Sequence, residues 1–242
     1  PQRKKQLLKK IKKNGFDFEP GEKMSYSNTN YVLLSYIAEE IDNKDFSHIL
    51  KDRILVPCGL QNTAYGGKIN SKNNEAKSYQ KLDEWILSTE TDMSIPSGAG
   101  AFISNPTDLN KFFTCLFNHQ IVSDSSLSKM THIVDNAGIG LFLFPFYDKA
   151  AYGHSGGIDG FQSVVAYFPN EKVSVAYVSN GVVMAKNDIL IGVLSLYFGR
   201  DYTFPEFNEG ITLHSDDLDQ YTGVYKNESL PMRITFTKDG NT

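Results

Sequence analysis

Apolar residues recur at helical spacing from Val32 onward: Val32, Leu33, Tyr36, Ile37 and Ile41 fall on one face, with Glu39 and Glu40 toward water. The turn dipeptide Pro20-Gly21 precedes this stretch, and Asn28 or Thr29 is placed to cap its first turn through a short side-chain oxygen. Asp45 to Leu55 predicts a second short helix with Phe46, Ile49, Leu50 and Ile54 inward. Asn105-Pro106-Thr107-Asp108 reads as a helix start, with proline at the first helical position and an acid in the first turn. That helix buries Leu109, Phe112, Phe113 and Leu116, and Ser125 to Ile133 predicts another short one. The pattern then changes to strands: Gly140 to Phe146, Tyr152 to Ser155, Phe161 to Phe168 and Val173 to Ser179. Pro169 and Asn170-Glu171 make a hairpin turn between the last two. Ala185 to Phe198 predicts a closing helix. Helices, then adjacent strands, then a helix give an α+β fold, an antiparallel sheet flanked by helices.

Other segments carry less pattern. Gly59 to Gly67 reads as a loop, and Lys68 to Asp92 as a polar stretch that contains the single tryptophan, Trp85. From Leu218 the composition shifts, and YTGVYKN and MRITFTKDG read as two strands. Lys238-Asp239-Gly240 is a turn signal with no returning strand after it. The expected organisation is a main domain over residues 1–205, incomplete at its N-terminal side, and the start of a small β-domain over 212–242. The chain is thus expected to be incomplete at both ends.

Charge is unevenly distributed. The first thirteen residues hold seven basic side chains (Arg3, Lys4, Lys5, Lys9, Lys10, Lys12, Lys13) and no acid, with Leu7, Leu8 and Ile11 on one helical face. A basic amphipathic helix of this kind reads as a membrane-surface or partner-binding element, or as a solvated helix pinned by its three apolar residues. Removing these seven from the 24 basic residues leaves 17 against 28 acidic ones in the rest of the chain. A net charge of −4, with 40% hydrophobic and 21% charged residues, describes a globular chain and gives no reason to expect nucleic acid. No apolar run reaches membrane-spanning length. Cys58 and Cys115 make no disulfide framework and read as small buried residues. The five histidines are scattered without ligand spacing, so no metal is expected.

The chemistry centres on Tyr26-Ser27-Asn28, a phenol and a carboxamide two residues apart at the entry to a helix with a buried face. Far downstream, His154-Ser155-Gly156-Gly157 places an imidazole beside two glycines. Between them lies the Gly-rich stretch GAGAFISNPTDLNKFF, residues 98–113. In order and spacing these elements resemble the serine beta-lactamase and penicillin-binding-protein superfamily. The likeness is closest to its class C beta-lactamase, D-alanyl-D-alanine carboxypeptidase and esterase branch, which carries S-x-x-K, then Y-x-N, then K-T-G or H-x-G. It covers roughly residues 16–199. It implies a hydrolase that works through an acyl-enzyme on an amide or ester, such as a peptidoglycan peptide, a beta-lactam or a small ester, without metal or organic cofactor. It implies Tyr26 as general base or proton relay, Asn28 as a donor to the acyl side chain, and His154 in the place of the third-motif lysine. Gly156 and Gly157 would let backbone approach the ligand, with the Gly157 N–H as an oxyanion donor. It also implies a periplasmic or secreted protein.

The family nucleophile, the serine of S-x-x-K, precedes Y-x-N by many residues, and Ser25 is the only serine before Tyr26. Two S-x-x-K strings, Ser78 to Lys81 and Ser126 to Lys129, come in the wrong order and read as chance matches. Tyr26 carries a further requirement. A free phenol titrates near pH ~10, so cations beside it would have to lower that value for a base at neutral pH. Two rival readings remain. Gly153 to Gly157 also spells G-x-S-x-G, the nucleophile elbow of α/β-hydrolases, with Ser155 as nucleophile; that elbow needs a strand before it and a helix after it. The second rival is a non-catalytic binding or sensor module on the same fold.

Overall fold

The computed structural model describes residues 2–205, 214–227 and 230–238. Helix α1, Gln2–Asn14, lies against α2, Asn28–Asp42. Lys4 of α1 pairs with Glu39 and Glu40 of α2, both at 3.2 Å. Glu39, expected in water, is half-buried and also accepts the Phe46 N–H at 3.1 Å. That bond starts α3, Phe46–Leu50, which runs on into a π-helical turn, Lys51–Leu55. The helix expected over Asp45 to Leu55 is thus present with its second half wound more loosely.

Three expectations for α2 and its surroundings need correction. Neither Asn28 nor Thr29 caps α2: Ser27 holds the cap position in extended backbone without a side-chain bond, because the Asn28 carboxamide is engaged elsewhere. Ile37 and Ile41, expected inward, are 53% and 76% exposed. The apolar stripe of α2 is wider than the surface it packs on, and the buried side centres on Val32 and Ser35. Finally, Cys58 and Cys115 are joined by a disulfide. Their Cα atoms lie 5.6 Å apart, within the reach of such a bond. The pairing links residues 57 apart and depends on tertiary packing that local patterning does not show.

The segment between α3 and the next helix holds short strands where the sequence predicts loop. Strand β1, Ala64–Tyr65, pairs antiparallel with β4, Phe102–Ile103. Strands β2, Tyr79–Lys81, and β3, Trp85–Leu87, form a hairpin inside the stretch read as polar. Helix α4, Pro106–Phe117, starts as predicted: the Asn105 side chain accepts the Asp108 N–H at 2.9 Å. Asp108 is almost fully buried and accepts the Asn62 N–H and the Thr63 hydroxyl, at 2.7 and 3.0 Å, tying the β1 segment to α4. Helix α5, Asp124–Met130, follows.

The main sheet has the antiparallel order β5-β6-β7-β8: Phe142–Phe146, Lys149–Ile158, Phe161–Phe168 and Val173–Ser179. Pro145 is tolerated because β5 is an edge strand. Both faces of the sheet are covered. Phe146, Ala151, Ala166 and Phe168 pack with Leu194 of α6, Lys186–Tyr197. Val165 and Tyr167 pack with Phe113 of α4 and Leu141. Alternation along β7 thus sends Val164, Ala166 and Phe168 one way and Val165 and Tyr167 the other. A separate hairpin joins β9, Gly223–Asn227, to β10, Leu230–Phe236.

Candidate active site

Tyr26 leads into α2 and His154 sits in the middle of β6. Their ring centroids are 5.8 Å apart. Phe142, the first residue of β5, completes the cluster at 5.9 Å from Tyr26 and 5.1 Å from His154. Tyr31, one helical turn into α2, backs the phenol at 5.4 Å. The Tyr26 hydroxyl donates to Asn28 Oδ1 at 3.2 Å, which draws the Asn28 side chain toward the site and away from capping α2. Tyr26, Asn28 and His154 therefore share one locality. Phe142 and Tyr31 carry no motif, and only the pairing of β5 with β6 and the register of α2 place them there.

Register decides what β6 shows to this site. His154 pairs with Val165 and so lies on the α4 side of the sheet, whereas Ser155 pairs with Val164 on the α6 side. Ser155 is exposed on that opposite face, turned from the side that carries His154 and Tyr26. Strand β6 also continues through Gly156 and Gly157 to Ile158 and turns straight into β7. The strand-turn-helix context of a nucleophile elbow is not formed around Ser155.

Strand β5 ends at Phe142, opposite Gly153, so residues 154–158 of β6 are paired on the β7 side only. The two-residue turn Asp159-Gly160 closes the hairpin between Ile158 and Phe161, which makes these a hydrogen-bonded pair. Antiparallel alternation then turns the N–H and C=O of Gly157, and those of Ser155, toward the open edge. In agreement, His154 Nδ1 lies 2.6 Å from the Ser155 carbonyl oxygen. A Cβ at Gly156 would stand 2.8 Å from Ser163 Oγ, so a larger residue there would have to turn that hydroxyl aside.

A wall runs from the end of β6 to α2. Asp159 accepts the Thr91 N–H at 3.0 Å and the Thr91 hydroxyl at 2.6 Å. From there the chain passes through residues 92–96 to Ser97, whose hydroxyl lies 3.2 Å from that of Ser35 in α2. Gly98 passes so close that a Cβ would stand 2.5 Å from Ser35 Cβ. Below the wall, Ser78 is buried and accepts the Gly160 N–H at 3.1 Å, and Trp85 rests against Gly181. Trp85 thus anchors the β2–β3 hairpin while remaining half exposed.

Both S-x-x-K strings have structural explanations. Ser78 and Lys81 lie in extended chain, where i and i+3 point to opposite faces. Ser126 donates its N–H to Ser123 Oγ at the start of α5. Electrostatically, partial burial pushes the Tyr26 phenol above its ordinary value of 10.0, and Tyr31 adds to the shift. None of the lowering that a general base at neutral pH requires comes from the described residues. As it stands, Tyr26 is a neutral phenol, able to pass a proton but not to hold a negative charge.

The chain is similar to known proteins over most of its length. The beta-lactamase family profile matches residues 1–193. Penicillin-binding protein 4* of Bacillus subtilis (strain 168) is 24% identical over 212 residues, covering 78% of this chain and 47% of that protein. Teichoic acid D-alanine hydrolase of Staphylococcus aureus is 26% identical over 194 residues, covering 77% and 47%. The chain spans about half the length of these curated relatives. Among solved structures, D-amino acid amidase from Ochrobactrum anthropi SV3, complexed with L-phenylalanine amide, superposes with a TM-score of 0.64 at 28% identity, over 76% of this chain and 58% of that one. FmtA from Staphylococcus aureus shares the fold with a TM-score of 0.69 at 21% identity, over 86% and 59%. With the Y-x-N and H-x-G elements meeting across a helix and an antiparallel sheet, and the profile covering most of its length, this chain belongs to the beta-lactamase family.

Proposed function

We propose that this chain contributes the proton-relay and carbonyl-binding side of the acyl-transfer site of a serine hydrolase acting on an amide or ester. The observation that carries this reading is the meeting of Tyr26 and His154 beside an open strand edge. An extended peptide or amino-acyl group adds to the 154–158 edge as a short strand. Its carbonyl oxygen accepts from the Gly157 N–H, a donor that gains strength as the oxygen becomes negative. The Asn28 carboxamide is within reach of the acyl part, and His154 of a carboxylate or leaving group. A serine hydroxyl attacks the carbonyl carbon, and its proton passes by way of the Tyr26 hydroxyl to the departing nitrogen or oxygen. Water then reverses the sequence and frees the acid. The relatives' names point to D-alanyl or D-amino-acyl esters and amides as the substrate class.

A second reading is a ligand-binding module on the same fold; it is favoured by the surroundings of Tyr26, where partial burial and the neighbouring Tyr31 push the phenol above its ordinary value and none of the described residues lowers it. Intact mass after incubation with a fluorescent penicillin and a chromogenic D-alanyl ester separates the two. The 242-residue chain is expected to show no adduct. A longer version of the protein, matching the relatives' length, is expected to acylate on a serine outside these residues and to slow when Tyr26 is changed to Phe. An adduct on this chain alone would show that the nucleophile is among its own serines. A longer protein that binds the penicillin reversibly without a mass shift would establish the binding module.

A further inference from the structure

His154 is held in one tautomer by the place where strand β5 ends. Because β5 stops at Phe142, opposite Gly153, no neighbouring strand takes the outward carbonyl of Ser155. The imidazole of the preceding residue takes it instead, with Nδ1 2.6 Å from that oxygen. A carbonyl oxygen only accepts, so Nδ1 carries the hydrogen. In the neutral ring Nε2 is then a bare lone pair, since the bond made by one nitrogen sets the state of the other. Nε2 has no protein partner among the described residues and is reachable by solvent. The groups beside it are acceptors or apolar. The Tyr26 hydroxyl directs its hydrogen to Asn28 Oδ1 and keeps its own lone pairs free. Phe142 closes the other side with an apolar ring. No lysine or arginine among the described residues acts on the phenol, whose shift comes from burial and Tyr31.

We propose that His154 is a specificity-determining acceptor: its Nε2 receives a hydrogen bond from the leaving group, and so selects an alcohol or amine that carries a further hydroxyl or N–H over one that carries a carboxylate. This rests on the acyl-transfer reading and narrows it. The leaving group is the part concerned because His154 lies beside Tyr26, the group that hands a proton to the departing atom. The donors of the site are engaged elsewhere in that reading, the Gly157 N–H with the carbonyl oxygen and the Asn28 amide with the acyl part. A polyol ester, or an amide of a hydroxyl-bearing amine, supplies the hydrogen that Nε2 lacks. A leaving group with a free carboxylate has acceptors only. It sets a negative charge against Nε2 and the phenol oxygen, and no cation among the described residues meets it there. The outward N–H of Ser155 is one neutral donor on the same edge, and a single neutral bond does not offset the cost of taking a carboxylate out of water.

Two measurements test this. The first uses the 242-residue chain with nitrogen-15 in its histidines, at mildly alkaline pH. The ring signals that vanish in His154→Gln are expected to show a protonated Nδ1 and a bare Nε2. A protonated Nε2 in the neutral ring would overturn the proposal, and this arm needs no catalysis. The second uses the longer protein, matching the relatives' length, and a pair of D-alanyl esters. In one the leaving alcohol is ethylene glycol, in the other glycolate, so a hydroxymethyl group is exchanged for a carboxylate of similar size. After correction for their rates with hydroxide, kcat/KM is expected to favour the ethylene glycol ester at least about tenfold, as for a site that rejects a partner leaving its polar group unpaired. His154→Lys, which puts an ammonium group in the same place, is expected to reverse the preference with an unchanged circular dichroism spectrum. Equal kcat/KM for the two esters in the parent, or a preference that His154→Lys leaves unmoved, would overturn the proposal. Turnover of neither ester would sink the acyl-transfer reading and the proposal with it; a bare Nε2 in the first arm would then show that the tautomer was not at fault.

Discussion

Asp159 accepts both the N–H and the hydroxyl of Thr91, and through that one residue the 91–98 segment is fastened to the end of strand β6. A hydrogen bond to a charged acceptor contributes about 1.5–3 kcal/mol net of desolvation. Asp159→Ala is therefore expected to lower the urea midpoint of the chain, and hydrogen exchange should accelerate first over residues 91–98. Asp159→Asn, which keeps one acceptor oxygen, should fall between. Uniform exchange across the sheet in Asp159→Ala would show that the contact does not hold the wall.

Tyr26 makes a spectroscopic prediction. Its folded-state value is raised above the unfolded one, so the fold favours the neutral phenol. That preference is fully present below the unfolded value near pH 10 and is lost as pH rises through the folded value. The difference in phenolate absorbance between the parent and Tyr26→Phe should accordingly appear only above pH 10. Appearance near neutrality in this chain would mean that a cation reaches the phenol after all. In a longer, active protein, Tyr26→Phe should slow acylation by about 10²–10⁴, the range for removing a positioned proton carrier.

Gly98→Ala tests the junction behind Tyr26. The added Cβ would stand 2.5 Å from Ser35 Cβ and 2.9 Å from the Tyr31 carbonyl oxygen, and the second of these is backbone that cannot swing away. Overpacking of this kind costs about 1–3 kcal/mol. Thermal unfolding should report that loss, and Tyr31, which backs the phenol, should shift with it. A variant as stable as the parent would show that the α2 junction has room for a methyl group.

Which parts were legible in the sequence follows from the range of the interactions. The four main strands and the starts of α4 and α6 are local patterns, and they lie within a few residues of where periodicity and capping place them. Strand β6 runs longer than expected because its second half is Gly-rich, and glycine carries no periodicity; its partner β7 holds it extended. The β2–β3 hairpin was invisible because Tyr79, Trp85 and Ser88 are supported by the distant residues Gly160, Asn180 and Gly181. At the site, Tyr26, Asn28, His154 and the glycines were readable as motifs. Phe142 and the Thr91–Asp159 clamp were not, since each depends on where strands end.

The disulfide is open to direct measurement. For a separation of 57 residues, the loop-entropy account assigns it about 4 kcal/mol. Cys58→Ser combined with Cys115→Ser should lower stability by an amount of that order while leaving the sheet intact. Alkylation followed by intact mass should add two groups only after reduction. Two free thiols in the unreduced chain would show that the bond does not form.

Linked at Cys58 and Cys115, residues 59–114 become a closed covalent ring attached to the remainder of the molecule at a single crossing. The β2–β3 hairpin, the 91–98 wall and most of α4 lie inside it. A protease that cuts anywhere within the ring opens a loop but releases no piece, so the nicked protein still travels as one species until a reductant separates it. The exposed polar stretch Ser71 to Asn74 is where such a cut would fall most readily. The 91–98 wall is thereby built as a replaceable insert: its chain can be broken while the two elements that carry Tyr26 and His154 stay joined outside it.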